Sequence, residues 1–397
     1  MSRILEYIEQ NNESGFHCYS TKKVTLDDSI HETVSSENSD QDIIPIDTSG
    51  KIAESDTRRL NTIRISDSLI LNTPPYFKYF LDGSRRTYKV DDIAIGNKIF
   101  PIIAGQIVVG CCFRSNRNTF KKAEVCTKLV ISLPKQFHTK GKPEDFSRYY
   151  CQKLNEYLKT NNRYVASRDI EVSKIVFYKT DGPSVAEHTD KNRFTNSAIA
   201  QIQNEMTDTE QLLVNQLCVN KRLNDENWLI KDGSIQYNPR FSSIDSAQWN
   251  NMRANYQYIV GVSKSFDPDL LKNYEGKKLS QIIADLKPFE RTKAYKYVSE
   301  HSNGMTFAVW YLRLRKEKNF RETHFSDIVK CEMIMFNPAI PIKSSTIDAI
   351  SANLIREAYP VCFGADSRWG NHLYPVFLTE SFCKAQYIDS NIFLSLF

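Results

Sequence analysis

The sequence lacks the usual marks of a zinc protein, a membrane protein or a P-loop protein. Its nine cysteines are scattered without a Cys-x-x-Cys pair, which argues against a common structural zinc site. No run of about 18 apolar residues could span a membrane. The amino terminus has no apolar signal segment, and no Walker A loop is present. Several cysteines lie in apolar runs typical of buried free thiols, so we expect a soluble, cytoplasmic protein.

The chain also carries little net charge. Its 52 Lys and Arg residues against 47 Asp and Glu residues give +5, which permits a polyanionic partner without requiring one. The stretch 27–56 has no aromatic residue and only one basic residue, Lys51. Such a composition is typical of a flexible acidic segment, and the alternative is an accessory element that docks on a partner. Residues 1–70 are therefore separated from a catalytic domain at 71–397.

The domain at 71–397 has mixed strand and helix patterns. With 41% hydrophobic residues, the 397-residue chain can bury a substantial core. A central mixed sheet flanked by helices follows, of class α/β or α+β, with one large domain preferred over two. Strands are predicted at 76–81, 98–113, 127–133, 174–178, 227–231, 256–262, 306–315 and 328–336. Helices are predicted at 143–160, 196–220, 278–299 and 345–357.

Two Asp-Gly-Ser segments each follow a predicted strand. Asp82 comes after the aromatic stretch 76–81, and Asp232 comes after Trp228-Leu-Ile-Lys. A carboxylate at the carboxyl end of a buried strand points into the region where open sheets hold their sites. Two such carboxylates can share a divalent cation, and without one they would repel each other. The alternative is that both segments are hairpin turns, since Asp-Gly is a common turn dipeptide.

Helix geometry adds Glu210 as a third carboxylate. On the predicted helix 196–220, apolar residues stand at −8, −4, +3 and +7 from Glu210, so it lies within the apolar stripe. An unpaired carboxylate is costly there, unless the side chain reaches water at the edge of the stripe. Glu205 and Asp208 have mostly polar neighbours and are expected to be solvated. Two or three carboxylates on a mixed sheet suit two-metal phosphoryl chemistry with Mg²⁺ or Mn²⁺.

These segments, taken in order, resemble the NurA nucleases. Each motif is short, but the ordered set is fairly specific and runs from about residue 74 to the carboxyl end. The matching segments are Asp82-Gly-Ser, Glu210 on a helix, Trp228-Leu-Ile-Lys-Asp-Gly-Ser, Gly261-Val-Ser-Lys-Ser, Trp310-Tyr-Leu-Arg-Leu and Leu373-Tyr-Pro-Val.

The resemblance implies an RNase H-like α/β fold with helical and strand insertions, and manganese-dependent DNA cleavage by a homodimer. It also implies a HerA-type hexameric ATPase that feeds DNA to the nuclease. Asp82, Glu210 and Asp232 match the metal carboxylates, and Lys264 matches a lysine that could hold a DNA phosphate. Glu332 lies in a strand that matches a further acidic position. We expect a metal-dependent nuclease for DNA end processing or anti-phage defence. The alternative is an inactive subunit that binds the ATPase or DNA.

The chain departs from this family near its carboxyl end. Family members carry a histidine after the Tyr-Pro motif, whereas residues 379–385 contain none. His372, before the motif, and Glu380, after it, are the candidate substitutes. The amino-terminal 70 residues lie outside the pattern.

Basic residues near these motifs are candidate DNA contacts. Arg85 and Arg86 directly follow the first Asp-Gly-Ser and are placed to meet a phosphate near the metals. A second basic cluster follows the strand at Trp310, and it either lines a DNA path or is a solvated loop. Its members are Arg313, Arg315, Lys316, Lys318 and Arg321. His188 has acidic neighbours but no second histidine at helical spacing, so it is a weak metal-ligand candidate.

Overall fold

The computed structural model describes most of the chain. The described residues are 4–11, 16–19, 23–26, 51–56, 61–116, 119–138, 141–161, 163–180, 193–236, 255–270, 279–299, 305–316, 323–362 and 369–397. The predictions for His188, Lys318, Arg321 and most of the stretch 27–56 lie outside these residues.

The described residues contain nine α-helices and thirteen strands. The helices are α1 Ile4–Gln10, α2 Asp67–Asn72, α3 Pro143–Asn161, α4 Arg163–Arg168, α5 Arg193–Val219, α6 Leu279–Ala284, α7 Ser344–Glu357, α8 Tyr374–Lys384 and α9 Ser390–Leu394. The strands are β1 His17–Tyr19, β2 Val24–Leu26, β3 Thr62–Arg64, β4 Phe77–Ile95, β5 Lys98–Asn116, β6 Thr119–Pro134, β7 Val172–Tyr178, β8 Trp228–Asp232, β9 Ile259–Ser263, β10 Glu290–Thr292, β11 Tyr295–Ser299, β12 Met305–Arg313 and β13 Ile328–Met335.

These strands form one mixed sheet flanked by helices, which confirms the predicted mixed α/β architecture. The strand order is β3-β10-β12-β13-β9-β8-β4-β5-β6-β7, with β1 and β2 added to β4 and β11 added to β12. The pairs β4/β8, β8/β9 and β6/β7 are parallel, and the other pairs are antiparallel. Because β8 and β9 run in the same direction, both end at one side of the sheet. We call this side the rim; β13 begins there and β12 ends there.

Helices cover both faces of the sheet around β4 and β5. Helix α5 packs on one face, since a methyl group added at Gly105 would touch Ile202. Helix α8 packs on the other face, since a methyl group added at Gly110 would touch Cys383. Residues 105 and 110 point to opposite faces because side chains alternate along a strand. We call these the α5 face and the α8 face. Helix α7 supplies further core residues together with α8.

The first Asp-Gly-Ser segment does not form a turn, and the strand does not end there. β4 runs through it, with Asp82 opposite Gly110 and Gly83 opposite Val109 of β5. The expected strand end at residue 81 and the hairpin alternative at this position are both wrong. The sequence predicts that the run 98–113 pairs with this strand, and the structure confirms the pairing. The ladder with β5 continues beyond Asp82 to Ile95, which the strand pattern at 76–81 did not indicate. The second segment follows a strand that does end at Asp232.

Two further predictions are wrong. The helix expected at 278–299 ends at Ala284, and β10 and β11 follow it because Pro288 interrupts the helical pattern and the later residues pair with β12. Glu205, expected to be solvated, is buried and accepts hydrogen bonds from Lys128 of β6 and Lys174 of β7. These lysines come from distant strands, so the helix sequence around Glu205 did not reveal them.

The described parts of residues 1–70 pack on the sheet. Ile4 and Ile8 of α1 are fully buried in the core. Glu54 and Arg291 form an ion pair that is fully buried, and the amide of Ala53 donates to the carbonyl of Ala294. The domain boundary at residue 70 stays a prediction. No described helix is both long and apolar enough to cross a membrane.

Candidate active site

Asp82 and Asp232 lie on neighbouring parallel strands. Leu81 of β4 is aligned with Lys231 of β8, so the two aspartates follow at the same level. Adjacent strands are about 4.8 Å apart, and both side chains face α8 by alternation. Asp82 is 5% exposed. Burial and then the charge of Asp232 raise the pKa of Asp82 well above its usual value, and the charge of Lys264 opposes the shift.

Lys264 brings an ammonium group to these carboxylates. It directly follows β9, and its Nζ lies 3.0 Å from Oδ2 of Asp232 and 3.9 Å from Oε2 of Glu380. Burial alone lowers the pKa of Lys264, but Asp232, Asp82 and Glu380 together raise it above the usual lysine value. Lys264 therefore stays charged at neutral pH among three carboxylates.

Glu380 and His372 complete the cluster on the α8 face. Glu380 lies on α8, and its Oε2 is 4.0 Å from Nδ1 of His372. The same His372 nitrogen lies 3.5 Å from Nζ of Lys264. Arg315 donates to the carbonyl oxygens of Gly370 and His372 at 2.7 and 3.2 Å, which fixes the backbone that carries this histidine. The two candidate substitutes for the missing late histidine thus lie beside Lys264.

Glu210 approaches the same strands from the opposite face. It is buried on α5, and its Oε2 lies 2.7 Å from Nζ of Lys231. Burial raises the pKa of Glu210 although Lys231 opposes the shift, and Asp232 adds to it. Glu210 also adds to the raised pKa of Asp82. Glu210 is thus coupled to the aspartates by charge, but its bonding partner is Lys231 of the α5 face.

Glu332 supports the turn that follows Asp232. This fully buried residue of β13 accepts hydrogen bonds from Ser234 Oγ at 2.9 Å and the Ile235 amide at 3.1 Å. Its other oxygen accepts from Gln236 Nε2 at 2.7 Å and pairs with Lys330. Glu332 therefore acts as an anchor for residues 234–236, and these partners and Lys330 lie outside the carboxylate cluster.

The predicted DNA-binding arginines have different surroundings. Arg85 is partly buried and donates to Gln203 of α5, on the face opposite Asp82. Arg86 shares the α8 face with Asp82, and its guanidinium carbon lies 4.7 Å from the ring centre of Tyr387. Arg313 is 2% exposed and ion-paired with Asp327. Arg86 thus shares a face with Asp82 but stands four residues further along β4, about 13 Å away. Arg313 has a buried structural partner.

The cluster has the donor chemistry of a hard-cation site but not a preformed cage. Among the described residues, no three His, Cys, Asp or Glu side chains are grouped closely enough to hold a metal as they stand. All the candidate donors are carboxylate oxygens, which Mg²⁺ and Mn²⁺ prefer. Burial and the charge of Asp232 raise the pKa of Asp82, and a cation bound between the two carboxylates would favour their charged forms. The residues therefore fit a divalent ion in their chemistry.

The sequence carries a signal for Lys231, which was not among the predicted site residues. Lys231 stands between Ile230 and Asp232 in a strand that we expected to be buried, so its side chain had to share a face with Leu229. A buried lysine needs an acidic partner, and Glu210 was the acidic residue that the sequence predicted to be buried. Arg315 and Tyr387 had no such local signal, because their partners come from distant segments.

Comparisons with known proteins give similarity to solved structures but none to known sequences. The chain matches no protein-family model and no curated protein sequence. It is similar to the crystal structure of the NurA nuclease from Sulfolobus solfataricus, with a TM-score of 0.36 and 9% identity, over 80% of this chain and 83% of that chain. A TM-score below 0.5 does not establish a common fold.

Proposed function

We propose that the protein is a divalent-metal-dependent deoxyribonuclease. The observation that carries the proposal is the pair Asp82 and Asp232 on adjacent parallel strands, where burial and mutual repulsion raise the pKa of Asp82. Carboxylates are costly to hold together in a buried place unless a cation or a proton compensates them. Such an arrangement on a mixed sheet is suited to metal-assisted phosphodiester hydrolysis.

The order of the central strands supports an RNase H-like assignment. β4, β5 and β6 form an antiparallel meander, and β8 and β9 then add in parallel to the free side of β4. Helix α5 connects to the first of these parallel strands and carries Glu210. The amino-terminal strands, β7 and the strands beyond β9 would be additions to this five-stranded unit.

Each charged residue of the cluster has a proposed role. Asp82 and Asp232 would hold Mn²⁺ or Mg²⁺, with Glu380 of the same face as a further carboxylate. Glu210, expected from the sequence to join them, pairs with Lys231 on the opposite face and would act on the ion only through its charge. When bound, the ion supplies an activated water and stabilises developing negative charge. Lys264 would hold a nonbridging phosphate oxygen, because its ammonium stays charged at neutral pH. Arg86 would contact a neighbouring phosphate from the same face as Asp82.

Cleavage of linear duplex DNA with Mn²⁺, Mg²⁺ or EDTA tests this proposal. We expect metal-dependent cleavage that falls by at least about 100-fold in Asp82→Asn and in Asp232→Asn, because each change removes an oxygen ligand. Asp225→Asn is the matched control, since this exposed aspartate precedes the other end of β8. Full cleavage by both site variants would overturn the assignment.

A second candidate function is a catalytically inactive DNA-binding or ATPase-binding subunit. The observation that favours it is that two internal ammonium groups, Lys264 and Lys231, already pair with Asp232 and Glu210. Binding of Mn²⁺ separates the two candidates. A nuclease site should gain thermal stability with Mn²⁺ in the wild type but not in Asp82→Asn, whereas an inactive subunit should show neither this gain nor cleavage.

The partners remain proposals that come from the sequence resemblance. We propose a homodimer that acts with a HerA-type hexameric ATPase in DNA end processing or anti-phage defence. Co-expression with such an ATPase followed by size-exclusion chromatography with light scattering tests both parts. A monomer that elutes apart from the ATPase would contradict them.

A further inference from the structure

A basic cleft lies beside the carboxyl end of β12. The cleft has a volume of about 840 Å³, and its exposed ionisable lining residues are Arg64, Lys287, Lys316, His324 and Asp285. Asp67 lies 3.6 Å from Lys316, but both side chains are more than half exposed, so water screens this pair. Arg313 also lines the cleft, with its guanidinium paired to Asp327. The exposed cleft is therefore a positively charged surface.

The cations of this cleft belong to the same rim as the carboxylate cluster. β12 ends at the rim, and Lys316 follows it; β10 begins at the rim, and Lys287 precedes it. Arg64 ends β3, and it pairs with Glu290 at the start of β10. Asp232 and Lys264 stand at the ends of β8 and β9 on this rim. Lys316, Lys287 and Arg64 thus lie on the same rim as Lys264 and Asp232.

The spacing of the strands sets the distance between the cleft and the cluster. β12 is three strands from β8, and β3 is five strands from it. At about 4.8 Å per strand, the cleft begins about 14 Å from Asp232 and extends to about 24 Å. One strand of duplex DNA carries a phosphate about every 3.4 Å of helix axis, so this range spans roughly four to seven nucleotides.

We propose that the cleft binds the phosphate backbone of the DNA substrate, roughly four to seven nucleotides from the phosphate held at Asp82 and Asp232. The inference rests on the proposed nuclease function and adds the path of the DNA. Arg64, Lys287 and Lys316 contact phosphates as point charges, so the cleft contributes affinity and orientation without base specificity. Arg313 supports the wall of the cleft and does not contact DNA.

The test compares two double charge reversals with the same change in net charge. Lys287→Glu/Lys316→Glu changes the cleft. Lys98→Glu/Lys135→Glu changes two exposed lysines, at the start of β5 and directly after β6, near the far end of β4. Lys98 is paired with Ile95, about 40 Å along β4 from Asp82. Binding of a labelled linear duplex is measured by fluorescence anisotropy in EDTA over a series of salt concentrations. Divalent-ion-dependent cleavage is excluded under these conditions.

We expect the cleft variant to bind at least about tenfold more weakly at low salt, and its slope of log K against log salt to be smaller by about 2. The control should stay within about twofold of the wild type. Equal affinity of the two variants, or no DNA binding by the wild type, would overturn the inference. If the cleft variant does not fold, Arg64→Glu on strand β3 against Lys135→Glu makes the same comparison.

Cleavage assays on the same proteins keep the two proposals distinct. If the wild type cleaves DNA and the cleft variant binds DNA as tightly as the wild type, the cleft proposal is refuted and the nuclease proposal still stands. If the wild type binds DNA through the cleft but does not cleave it in the presence of any divalent ion tested, the cleft proposal is supported and the nuclease proposal is refuted.

Discussion

A methyl group at Gly83 would lie 2.3 Å from Oε1 of Glu210. No two such atoms can approach this closely, so the bare backbone of Gly83 makes room for the carboxylate. Gly83 stands in the middle of β4 with its ladder partner Val109 on β5. The second residue of this Asp-Gly-Ser segment is therefore a steric requirement of the α5 face rather than a turn residue.

Gly83→Ala should destabilise the protein by about 1–3 kcal/mol, because the added methyl group overpacks the contact with Glu210. Urea unfolding measures the change. Glu210→Asp shortens the acid and should relieve the contact, so the double variant should lose less than the sum of the two single losses. Strictly additive losses would contradict the contact.

Lys231→Met should cost about 3–5 kcal/mol at pH 8, because it leaves the buried carboxylate of Glu210 without its cation. The pKa of Glu210 is already raised by burial, and the substitution raises it further. The cost should shrink as the pH falls toward 4.5, the ordinary glutamate pKa, since Glu210 then becomes neutral. Unfolding at pH 5 and pH 8 gives the comparison.

The control is the double variant Lys231→Met/Glu210→Gln. Its glutamine carries no charge, so the double variant should be more stable at pH 8 than Lys231→Met alone. It should also lack the dependence on pH. A single and a double variant of equal stability would show that Lys231 acts through some other contact.

Asp82→Asn should stabilise the metal-free protein at neutral pH. Folding raises the pKa of Asp82, so its contribution to stability is complete below the ordinary value of 3.8 and is lost as the pH rises through the raised pKa. Asparagine stays neutral at every pH. The variant should therefore gain stability relative to the wild type as the pH rises from about 4 to 8.

Thermal unfolding in EDTA across this pH range measures the difference. Asp225→Asn should follow the wild type, because this residue is exposed. A parallel pH dependence in the wild type and Asp82→Asn would contradict the repulsion between Asp82 and Asp232.

Glu332→Gln should loosen the turn after Asp232. The carboxylate of Glu332 accepts hydrogen bonds from Ser234, Ile235 and Gln236 through both oxygens. In glutamine one of these oxygens becomes an NH₂ group, which cannot accept a hydrogen bond from these donors. Hydrogen exchange at the Ile235 amide should accelerate by at least about tenfold, which corresponds to about 1.4 kcal/mol. The Leu229 amide, bonded to Tyr258 within the sheet, should keep its protection. Unchanged exchange at Ile235 would refute the anchoring role.

The positions of Asp82 and Asp232 could be predicted because they depend on local signals. Each aspartate follows a short apolar segment, and parallel neighbouring strands place such residues side by side. The buried position of Glu210 was likewise readable from the periodicity of a single helix. These features need only strand and helix periodicity, which the sequence carries within about 20 residues.

The rest of the cluster depends on contacts that local patterns do not encode. The uninterrupted course of β4 through Asp82 follows from pairing with β5, and the burial of Glu205 follows from lysines of β6 and β7. The separation of Glu210 from the two aspartates by the sheet follows from α5 and α8 packing on opposite faces. Such relationships arise only when distant segments meet.

The position of Glu380 has a consequence for biosynthesis. Asp82 and Glu380 are 380 − 82 = 298 residues apart in the chain, yet both contribute to the charge around Lys264. A ribosome-bound chain that has not yet released α8 contains Asp82, Asp232 and Lys264 but has no Glu380 beside them. The cluster of Asp82, Asp232, Lys264 and Glu380 therefore assembles only after α8 has emerged from the ribosome.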